Sequence, residues 1–489
     1  MKFQQIAVLG AGTMGIGIAE VAAAHGHQVK LYDISNEAAT EALASLTKRL
    51  DARIHKGKIS KEVKQSLLNN IQAVNDLTSL QGSELIIEAV VERLDIKQQL
   101  FTDLEKICGP STLLASNTSS ISITAIATPL AHPERVLGLH FFNPAPVMKL
   151  VEVIAGLKTD PQILKVAKQL IEDWGKVAVH AQSSPGFIVN RVARPFYGEA
   201  LKVKQEQLAD VALIDASLTA AGGFRMGPFA LMDLIGIDIN FQVSQTVYQA
   251  MFQDPRYRPS LIQSEMVAAG LLGRKSGQGF YHYPSTEADN VSVYAKQQNE
   301  FTATVQLAAS SHPFEQMFKA CREFCEVKQG AVNKVGDTAL FKTAGHRAQD
   351  IEDKIDGPVC LIDWSFDYAQ ATAVTVTFSG SVSEFDQHQI IALFQQLKKQ
   401  VIICPDSPGM INARIMAMLI NEAADALFNG IASFKDIDLA MHYGTNYPQG
   451  LLQLASHIGW QNPATVLTEL HHWFGDDRYR LSPYIRNQL

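Results

Sequence analysis

The stretch IAVLGAGTMGIGIAEVAAAHG (6–26) joins an apolar run to a helix-like segment through closely spaced glycines. Gly10, Gly12 and Gly15 have GxGxxG spacing: the first glycine permits a tight turn, the second lets the backbone approach a pyrophosphate, and the third brings helix and strand together. A helix that begins at such a turn offers free N–H groups and the positive end of its dipole to phosphates. The stretch predicts the first strand, turn and helix of a dinucleotide-binding fold.

The next strand-like run, QVKLYD (28–33), ends in an acid, Asp33. A carboxylate at this position can accept hydrogen bonds from both ribose hydroxyls of a dinucleotide, and its charge repels a 2′-phosphate. The residues that follow, 34–36, add no positive charge, so the pattern favours NAD over NADP. FAD uses the same glycine pattern and remains an alternative at this point.

Size and composition set limits on the class of protein. A chain of 489 residues, 47% hydrophobic and 19% charged, is typical of a globular protein with several domains. Its net charge of −7 gives no general attraction to nucleic acid or to anionic membranes. The sequence holds no apolar run of the roughly 18 residues that a membrane helix needs, and its five cysteines are scattered. We therefore expect a cytoplasmic protein with no metal, nucleic-acid or membrane partner.

Further strand-like runs follow the dinucleotide pattern, separated by helical segments, and they predict a doubly wound α/β sheet that ends near SSPGF (183–187). The pattern is then helical up to GRKSGQGFYHY (273–283), and the polar segment after it resembles a linker. We expect a Rossmann-type NAD-binding domain at 1–184, an all-α domain for substrate and dimerisation at 185–283, and a linker at 284–312.

The remainder of the chain contains an internal repeat. SPGMINARIMAM, from Ser407, parallels SPGFIVNRVARP, from Ser184, at an offset of 223 residues, and the offset persists through the helical region. The strand-like runs before the second copy lack a GxGxxG pattern. Asn190 is matched by Ala413, so we expect the copy to be a scaffold without a second active site. The predicted divisions are a remnant Rossmann-like region at 313–406 and a degenerate second helical domain at 407–489.

Two polar clusters follow strands of the first sheet and are predicted to lie at its carboxyl edge, where ligands bind in such folds. They are SNTSS (116–120) and LHFFNP (139–144), with His140 at the centre of the second. Glu152 lies in the apolar run KLVEV, where an acid needs a compensating partner, and His140 is the obvious candidate. Such a pair suits general acid–base chemistry. Alternatively, the serines cap helices, the histidine is a core residue, and Glu152 pairs with Lys149.

Six motifs in order over residues 3–283 resemble the short-chain 3-hydroxyacyl-CoA dehydrogenase family: GAGTMGIGIA, AVVERLDIKQQLF, ASNTSSIS, GLHFFNPAPVMKLVEV, SPGFIVNR and GRKSGQGFYHY. The tail resembles, more loosely, the long two-repeat members that act on 3-hydroxyadipyl-CoA in bacterial phenylacetate degradation. The resemblance implies NAD-dependent oxidation of an (S)-3-hydroxyacyl-CoA to the 3-oxoacyl-CoA, with 3-hydroxyadipyl-CoA or 3-hydroxybutyryl-CoA as substrate, and it disfavours FAD. It also implies that the two helical repeats form an internal pseudo-dimer, with a further homo-oligomer left open.

The resemblance also implies roles for individual residues. His140 would take the proton of the 3-hydroxyl group, Glu152 would orient and support it, and Ser119 and Asn190 would hydrogen-bond the reacting oxygen and the thioester region. Asp33 would hold the adenosine ribose. Other parts of the dinucleotide would be contacted by Glu92, Lys97, Asn117, Asn143 and Lys275.

Coenzyme A carries phosphates, so an acidic protein needs a local basic surface to bind it. The helical stretch 48–64 is strongly basic, and we expect Arg53 and Lys56 to contact the coenzyme, although a solvated helix face is the alternative. A dicarboxylic substrate needs a further cation, for which Arg191, Arg194 and Arg225 are candidates. Two other classes of function stay open, a non-catalytic NAD-binding sensor and a dehydrogenase of a hydroxy acid without coenzyme A.

Overall fold

A computed structural model of the chain describes residues 3–35, 37–285, 292–297, 300–308, 317–318, 320–323 and 325–489. The strands of the described part are β1 Gln5–Leu9, β2 Gln28–Tyr32, β3 Ile71–Val74, β4 Leu85–Glu88, β5 Leu113–Ser116, β6 Val136–Phe141, β7 Leu150–Ala155, β8 Val177–Gln182, β9 Val305–Ala308, β10 Val327–Gly330, β11 Lys334–Val335, β12 Thr338–Lys342, β13 Val359–Ile362, β14 Ala373–Phe378 and β15 Gln400–Ile403.

The α-helices of the same part are α1 Thr13–Ala24, α2 Ala38–His55, α3 Lys61–Asn69, α4 Leu94–Ile107, α5 Ile123–Ala127, α6 Pro161–Asp173, α7 Val189–Val192, α8 Arg194–Gln205, α9 Val211–Ala216, α10 Pro228–Ile235, α11 Ile237–Ala250, α12 Leu261–Ala268, α13 Ala348–Ile355, α14 Glu384–Gln396, α15 Asn412–Phe428, α16 Phe434–Thr445, α17 Leu451–Ile458, α18 Gln461–Phe474 and α19 Pro483–Arg486. A π-helical turn, Ser217–Ala221, follows α9. Among the described helices, none combines the length and apolar character needed to cross a bilayer.

The first sheet has the strand order β3-β2-β1-β4-β5-β6-β7-β8. Its first six strands are parallel, and β7 runs antiparallel to β6 and parallel to β8. The central strands are continuous apolar runs because helices cover both faces of the sheet. The order reverses between β1 and β4, which opens a crevice at their carboxyl ends. The predicted Rossmann-type doubly wound sheet is confirmed.

A second sheet, of order β10-β9-β11-β12-β13-β14-β15, forms the smaller α/β region of the chain. Its last four strands repeat the directions of β5 to β8: parallel, antiparallel, parallel. The segment predicted as a linker, 284–312, includes β9, which pairs with β10 and β11. The linker prediction is therefore wrong at 305–308, because these residues supply a strand. Residues 286–291, 298–299 and 309–312 of that segment lie outside the described residues.

The chain forms two compact units, one made of Met1–Arg191 with Asn429–Thr445 and the other of Val192–Phe428 with Asn446–Leu489. The first unit holds the first sheet, and the second holds the second sheet and most helices of both repeats. The predicted second helical domain, 407–489, is thus divided between the units. The reason is that α16 packs against β7 and β8 of the first sheet.

The repeat seen in the sequence is also a repeat of backbone conformation. Gly186 and Gly409, 223 residues apart, have φ values of 76° and 72°. Phe187 and Met410, which follow them, both have positive φ, 48° and 49°, which is uncommon for residues other than glycine. Two copies of one ancestral segment, each with the same strained turn before a helix, explain this agreement.

Candidate active site

The glycine turn between β1 and α1 has room for a phosphate. Gly10 has φ +94°, and a Cβ there would lie 2.5 Å from the carbonyl oxygen of Ala89. A Cβ at Gly15 would lie 1.7 Å from the carbonyl oxygen of Gly10, so this contact between turn and helix excludes any side chain. A Cβ at Gly12, the N-cap of α1, would meet no described heavy atom within 4 Å. The turn therefore leaves open space beside the helix N-terminus, as a pyrophosphate requires.

Asp33 lies at the end of β2, next to that turn. Its Oδ2 accepts a hydrogen bond of 2.7 Å from the backbone N–H of Ala11, and its Oδ1 accepts one of 3.0 Å from that of Ser35. The carboxylate thus fixes the turn while it keeps lone pairs for a ribose. The turn, the helix N-terminus and the acid together fit a dinucleotide. Asn36, which also entered the argument for NAD, lies outside the described residues.

His140 and Glu152 are directly opposite each other on the antiparallel strands β6 and β7. His140 Nδ1 lies 2.6 Å from Glu152 Oε2, and the two residues are 6% and 0% exposed. The other carboxylate oxygen, Oε1, accepts hydrogen bonds from the backbone N–H groups of Ile188 and Val189, at 2.9 and 3.0 Å. Glu152 therefore has two backbone donors on one oxygen and the imidazole on the other, and the imidazole ring is held in one orientation.

Ser119 and Asn190 lie close together in the first unit. Asn190 Nδ2 lies 3.5 Å from the carbonyl oxygen of Ser119. The backbone N–H of Ser119 donates to Glu92 Oε1, as does its hydroxyl, at 3.0 and 3.4 Å. Burial alone would raise the pKa of Glu92, but Lys97 and the hydrogen bonds from Thr118 and Ser119 outweigh it and lower this pKa. Glu92 is consequently ionised and orders the SNTSS loop.

The other residues expected to contact the dinucleotide have varied surroundings. Lys97 is only 1% exposed, and its ammonium group pairs with Glu88 at 2.6 Å and with Glu92 at 3.2 Å. Asn117 Oδ1 accepts a hydrogen bond of 2.8 Å from the backbone N–H of Phe141, which ties the ends of β5 and β6 together. Asn143 is exposed just after β6. Lys275 belongs to the second unit, where its ammonium group pairs with Asp238.

Glu88 is a site residue that the sequence reasoning missed. It ends β4 and is fully buried, and it accepts hydrogen bonds from Ser116 Oγ at 2.6 Å, from the backbone N–H of Val90 at 2.7 Å and from Lys97. The signal was present in ELIIE (84–88), an apolar strand that ends in an acid, as the strand before Asp33 does. Glu88 links β4, β5 and α4 at the carboxyl edge of the sheet.

The basic stretch forms the helical hairpin α2–α3. Arg53 and Arg49 pair with Glu20 of α1, at 3.0 and 3.3 Å, and burial raises the pKa of Glu20 despite both arginines. Arg53 thus anchors the hairpin, although its side chain remains 45% exposed. Lys56 is exposed at the C-cap of α2. Both stay predicted contacts of coenzyme A.

The strand registers show which residues of the second sheet correspond to this site. Asp363 directly follows β13, and its backbone N–H donates to the carbonyl oxygen of Thr375. Asp363 and Thr375 are therefore opposite each other, as His140 and Glu152 are in the first sheet. Thr375 takes the position of Glu152, because β14 and β15 have the register of β7 and β8. By the same registers, Ala344 takes the position of Ser119. With Ala413 in place of Asn190, each of the four candidate catalytic side chains is replaced.

A glycine turn beside an acid at the end of the second strand and a buried histidine–carboxylate pair on the same sheet define a dehydrogenase that uses a dinucleotide. Comparison with known families agrees with this class. Residues 5–184 match the NAD-binding domain of 3-hydroxyacyl-CoA dehydrogenases, and 186–283 and 409–488 match their C-terminal domain. Residues 340–408 match the reduced Rossmann-fold domain of 3-hydroxybutyryl-CoA dehydrogenase.

Two of the similar proteins match the whole chain, and a third matches its first part. A 3-hydroxyadipyl-CoA dehydrogenase of Escherichia coli is 44% identical over 100% of this chain and 98% of its own length. A crystal structure of 3-hydroxybutyryl-CoA dehydrogenase from Escherichia coli has 42% identity, a TM-score of 0.90, and coverage of 100% of this chain and 98% of its own. A probable 3-hydroxybutyryl-CoA dehydrogenase of Bacillus subtilis is 42% identical over 58% of this chain. The chain belongs to the 3-hydroxyacyl-CoA dehydrogenase family, and NAD is its cofactor.

Proposed function

We propose that this enzyme oxidises the C3 hydroxyl of an (S)-3-hydroxyacyl-CoA, and that 3-hydroxyadipyl-CoA is its preferred substrate. The buried His140–Glu152 pair carries the chemical part of this proposal. The substrate is proposed because the 3-hydroxyadipyl-CoA dehydrogenase of Escherichia coli is similar along the full chain, including the second repeat. Arg191, Arg194 and Arg225 remain candidates for the cation that its second carboxylate needs.

His140 is proposed as the general base. Its Nδ1–H donates to Glu152, which leaves the lone pair of Nε2 to accept the proton of the 3-hydroxyl group. Glu152 then stabilises the imidazolium cation that forms, without taking its proton. Bound NAD supplies the acceptor for the hydride that leaves C3. In the reverse direction His140 returns the proton to the oxygen.

The remaining residues are proposed to bind and orient the ligands. Ser119 and Asn190 hydrogen-bond the reacting oxygen and the thioester region, where negative charge develops. In the cofactor-binding turn, Gly12 lets the backbone approach the pyrophosphate, Gly10 and Gly15 permit the turn and its close contact with the helix, and Asp33 holds the adenosine ribose. Further dinucleotide contacts are assigned to Glu92, Lys97, Asn117, Asn143 and Lys275, of which Lys97 also fixes Glu92. Coenzyme A is assigned to Arg53 and Lys56.

The two helical repeats are proposed to form an internal pseudo-dimer, and reciprocal contacts in the second unit support this. Glu199 of the first repeat accepts a hydrogen bond from Tyr479 and pairs with Arg478, both in the motif DRYR (477–480). Glu422, 223 residues after Glu199, accepts one from Tyr257 and pairs with Arg256, both in PRYR (255–258). Each repeat thus binds the acid of the other, as in an isologous dimer interface.

The proposed location is the cytoplasm. All five cysteines are free thiols, and burial raises the pKa of Cys321 to about 12 and that of Cys108 above its ordinary value. Buried protonated thiols are inert and suit a reducing compartment.

The test of the function is NADH oxidation by the purified chain with acetoacetyl-CoA and with 3-oxoadipyl-CoA, compared at matched concentrations. We expect turnover with both and a higher kcat/KM for 3-oxoadipyl-CoA. A higher kcat/KM for acetoacetyl-CoA would overturn the substrate assignment. Binding of NADH without turnover of any acyl-CoA would leave the non-catalytic sensor, and turnover of free 3-oxo acids alone would leave the dehydrogenase of simple hydroxy acids.

A further inference from the structure

We infer that the second helical repeat positions the His140–Glu152 pair, and that Gly444 of α16 is the residue through which it does so. This inference rests on the proposed role of that pair. It gives the second repeat a function in catalysis although its own copy of the site has been lost.

Helix α16 belongs to the first unit and lies on strands β7 and β8. The carbonyl oxygen of Ile431, just before the helix, accepts a hydrogen bond of 2.8 Å from the backbone N–H of Gln182 at the end of β8. Near its other end, the ring centroid of Tyr443 lies 6.0 Å from the ammonium group of Lys149, which directly precedes β7. The helix therefore lies alongside β7, the strand that carries Glu152, and β8.

Gly444 is the point of closest approach. A Cβ at this position would lie 2.7 Å from Leu150 Cδ2, closer than Cβ atoms pack in proteins, and 3.0 Å from Val189 Cγ2, tighter than most Cβ contacts. Its backbone is in the helical region, so a left-handed conformation does not explain the glycine. Glycine inside a helix costs about 1 kcal/mol relative to alanine. Close packing against Leu150 and Val189 is what this glycine permits.

Both contacted residues are connected to Glu152, Val189 by a hydrogen bond and Leu150 through the strand. Val189 donates its backbone N–H to Glu152 Oε1, and Leu150 precedes Glu152 by two residues in β7, so their side chains share one face of the sheet. Leu150 Cδ2 is the end of a side chain that can rotate away, whereas the β-branched side chain of Val189 is stiff. A methyl group at position 444 would therefore push mainly on Val189. The carboxylate would then shift relative to the imidazole that it orients.

The other repeat supports this assignment by contrast. Residue 221, which precedes Gly444 by 223 positions, is alanine, and it packs with Ala373 and Ile402 in the second unit. By strand register, Ala373 has the position of Leu150. In the second unit, where the site is lost, Ala221 packs against the small strand residue Ala373. In the first unit, where the site is intact, Gly444 packs against the large strand residue Leu150.

The experiment measures kcat for Gly444→Ala, counting active sites by NADH titration. We expect kcat per NADH site to fall at least tenfold, because misplacement of a catalytic group by about 1 Å can cost about a hundredfold. KM for NADH should stay within twofold. Hydrogen exchange of the peptide that contains the Val189 amide should become faster. The matched control is Gly109→Ala, where the new methyl group meets no described heavy atom within 4 Å and activity should be unchanged.

Two further variants separate positioning from simple destabilisation. In a Glu152→Gln background, Gly444→Ala should change kcat by less than twofold, because both substitutions act on the same carboxylate. Adding Val189→Ala to Gly444→Ala should restore part of kcat, and it replaces the single variant if that variant does not fold.

An equal loss in both backgrounds, a loss only in the number of NADH sites, or a folded variant with normal kcat would each overturn the inference. Normal turnover by Glu152→Gln alone would instead overturn the proposed role of the pair.

Discussion

Glu152 and Asp363 bind the same segment of the two repeats from different strands. Glu152, on β7, accepts hydrogen bonds from the backbone N–H groups of Ile188 and Val189. Asp363, after β13, accepts them from Ile411 and Asn412, 223 positions later, and also from Ala413. A carboxylate has been kept at the start of this helix in both copies. In the second copy it occupies the strand position of the histidine, so that copy retains the local fold and lacks the histidine.

Replacing His140 by glutamine should lower kcat by two to four orders of magnitude, because a general base typically contributes that much. The binding of NADH, followed by its fluorescence, should persist. The control is His132→Gln, an exposed histidine in the same unit, which should leave kcat unchanged. Turnover of His140→Gln near the original rate would refute its role as the base.

Replacing Asp33 by alanine should weaken NADH binding by about 1.5–3 kcal/mol, the usual value of hydrogen bonds to a charged group. The variant loses both the ribose contact and the bond that fixes Ala11. It should also discriminate less between NADH and NADPH, since the charge that repels a 2′-phosphate is gone. KM values for both cofactors measure this, with Asp103→Ala on the surface of α4 as control. Unchanged cofactor preference would contradict the assignment.

Glu199→Gln should destabilise the second unit by about 3–5 kcal/mol, because it leaves the buried Arg414 and Arg478 without their shared anion. Glu206→Gln should cost much less. Glu206 also pairs with Arg414 but is partly exposed. Its replacement leaves the ion pair between Arg414 and Glu199 intact. Urea denaturation gives both values. Equal losses of unfolding free energy in the two variants would show that the buried pairs of Glu199 stabilise the protein no more than the partly exposed pair of Glu206.

The buried Asp363 should make stability depend on pH. Burial raises its pKa to about 6, from 3.8, against the opposing hydrogen bonds from four backbone N–H groups. A raised pKa means that the folded state binds the proton more tightly. The resulting stabilisation is complete below about pH 4 and is lost as pH rises towards 6. The free energy of unfolding of the original chain, relative to that of Asp363→Asn, should therefore fall by about 3 kcal/mol between pH 4 and pH 6. Urea midpoints at several pH values test this, and a constant difference would contradict it.

A chain ending at residue 290 should not give a soluble, active monomer. It would lack α16, which covers β7 and β8, and the DRYR motif that binds Glu199. We expect aggregation or self-association, measured by size-exclusion chromatography with light scattering. A monodisperse monomer with full activity would argue against the internal pseudo-dimer.

The sequence predicts the first sheet and much of the candidate site, because both depend on local patterns. The glycine turn, Asp33 and the strand residues His140 and Glu152 are each recognisable within a few residues. The long-range features were missed. The helical periodicity of α16 predicts a buried face, but it does not show which sheet that face packs against. The correspondence of Asp363 to His140 needs the strand register, since the offset is 223 there but 225 at Ser119 and Ala344.

The exchange of Glu199 and Glu422 between the two repeats takes place within one polypeptide. Two subunits that meet through such contacts separate on dilution, whereas two halves of one chain keep a fixed effective concentration. Specific activity should accordingly be independent of enzyme concentration. In the proposed pseudo-dimer, one of two reaction centres has been lost, and in return the interface between the repeats cannot be diluted away.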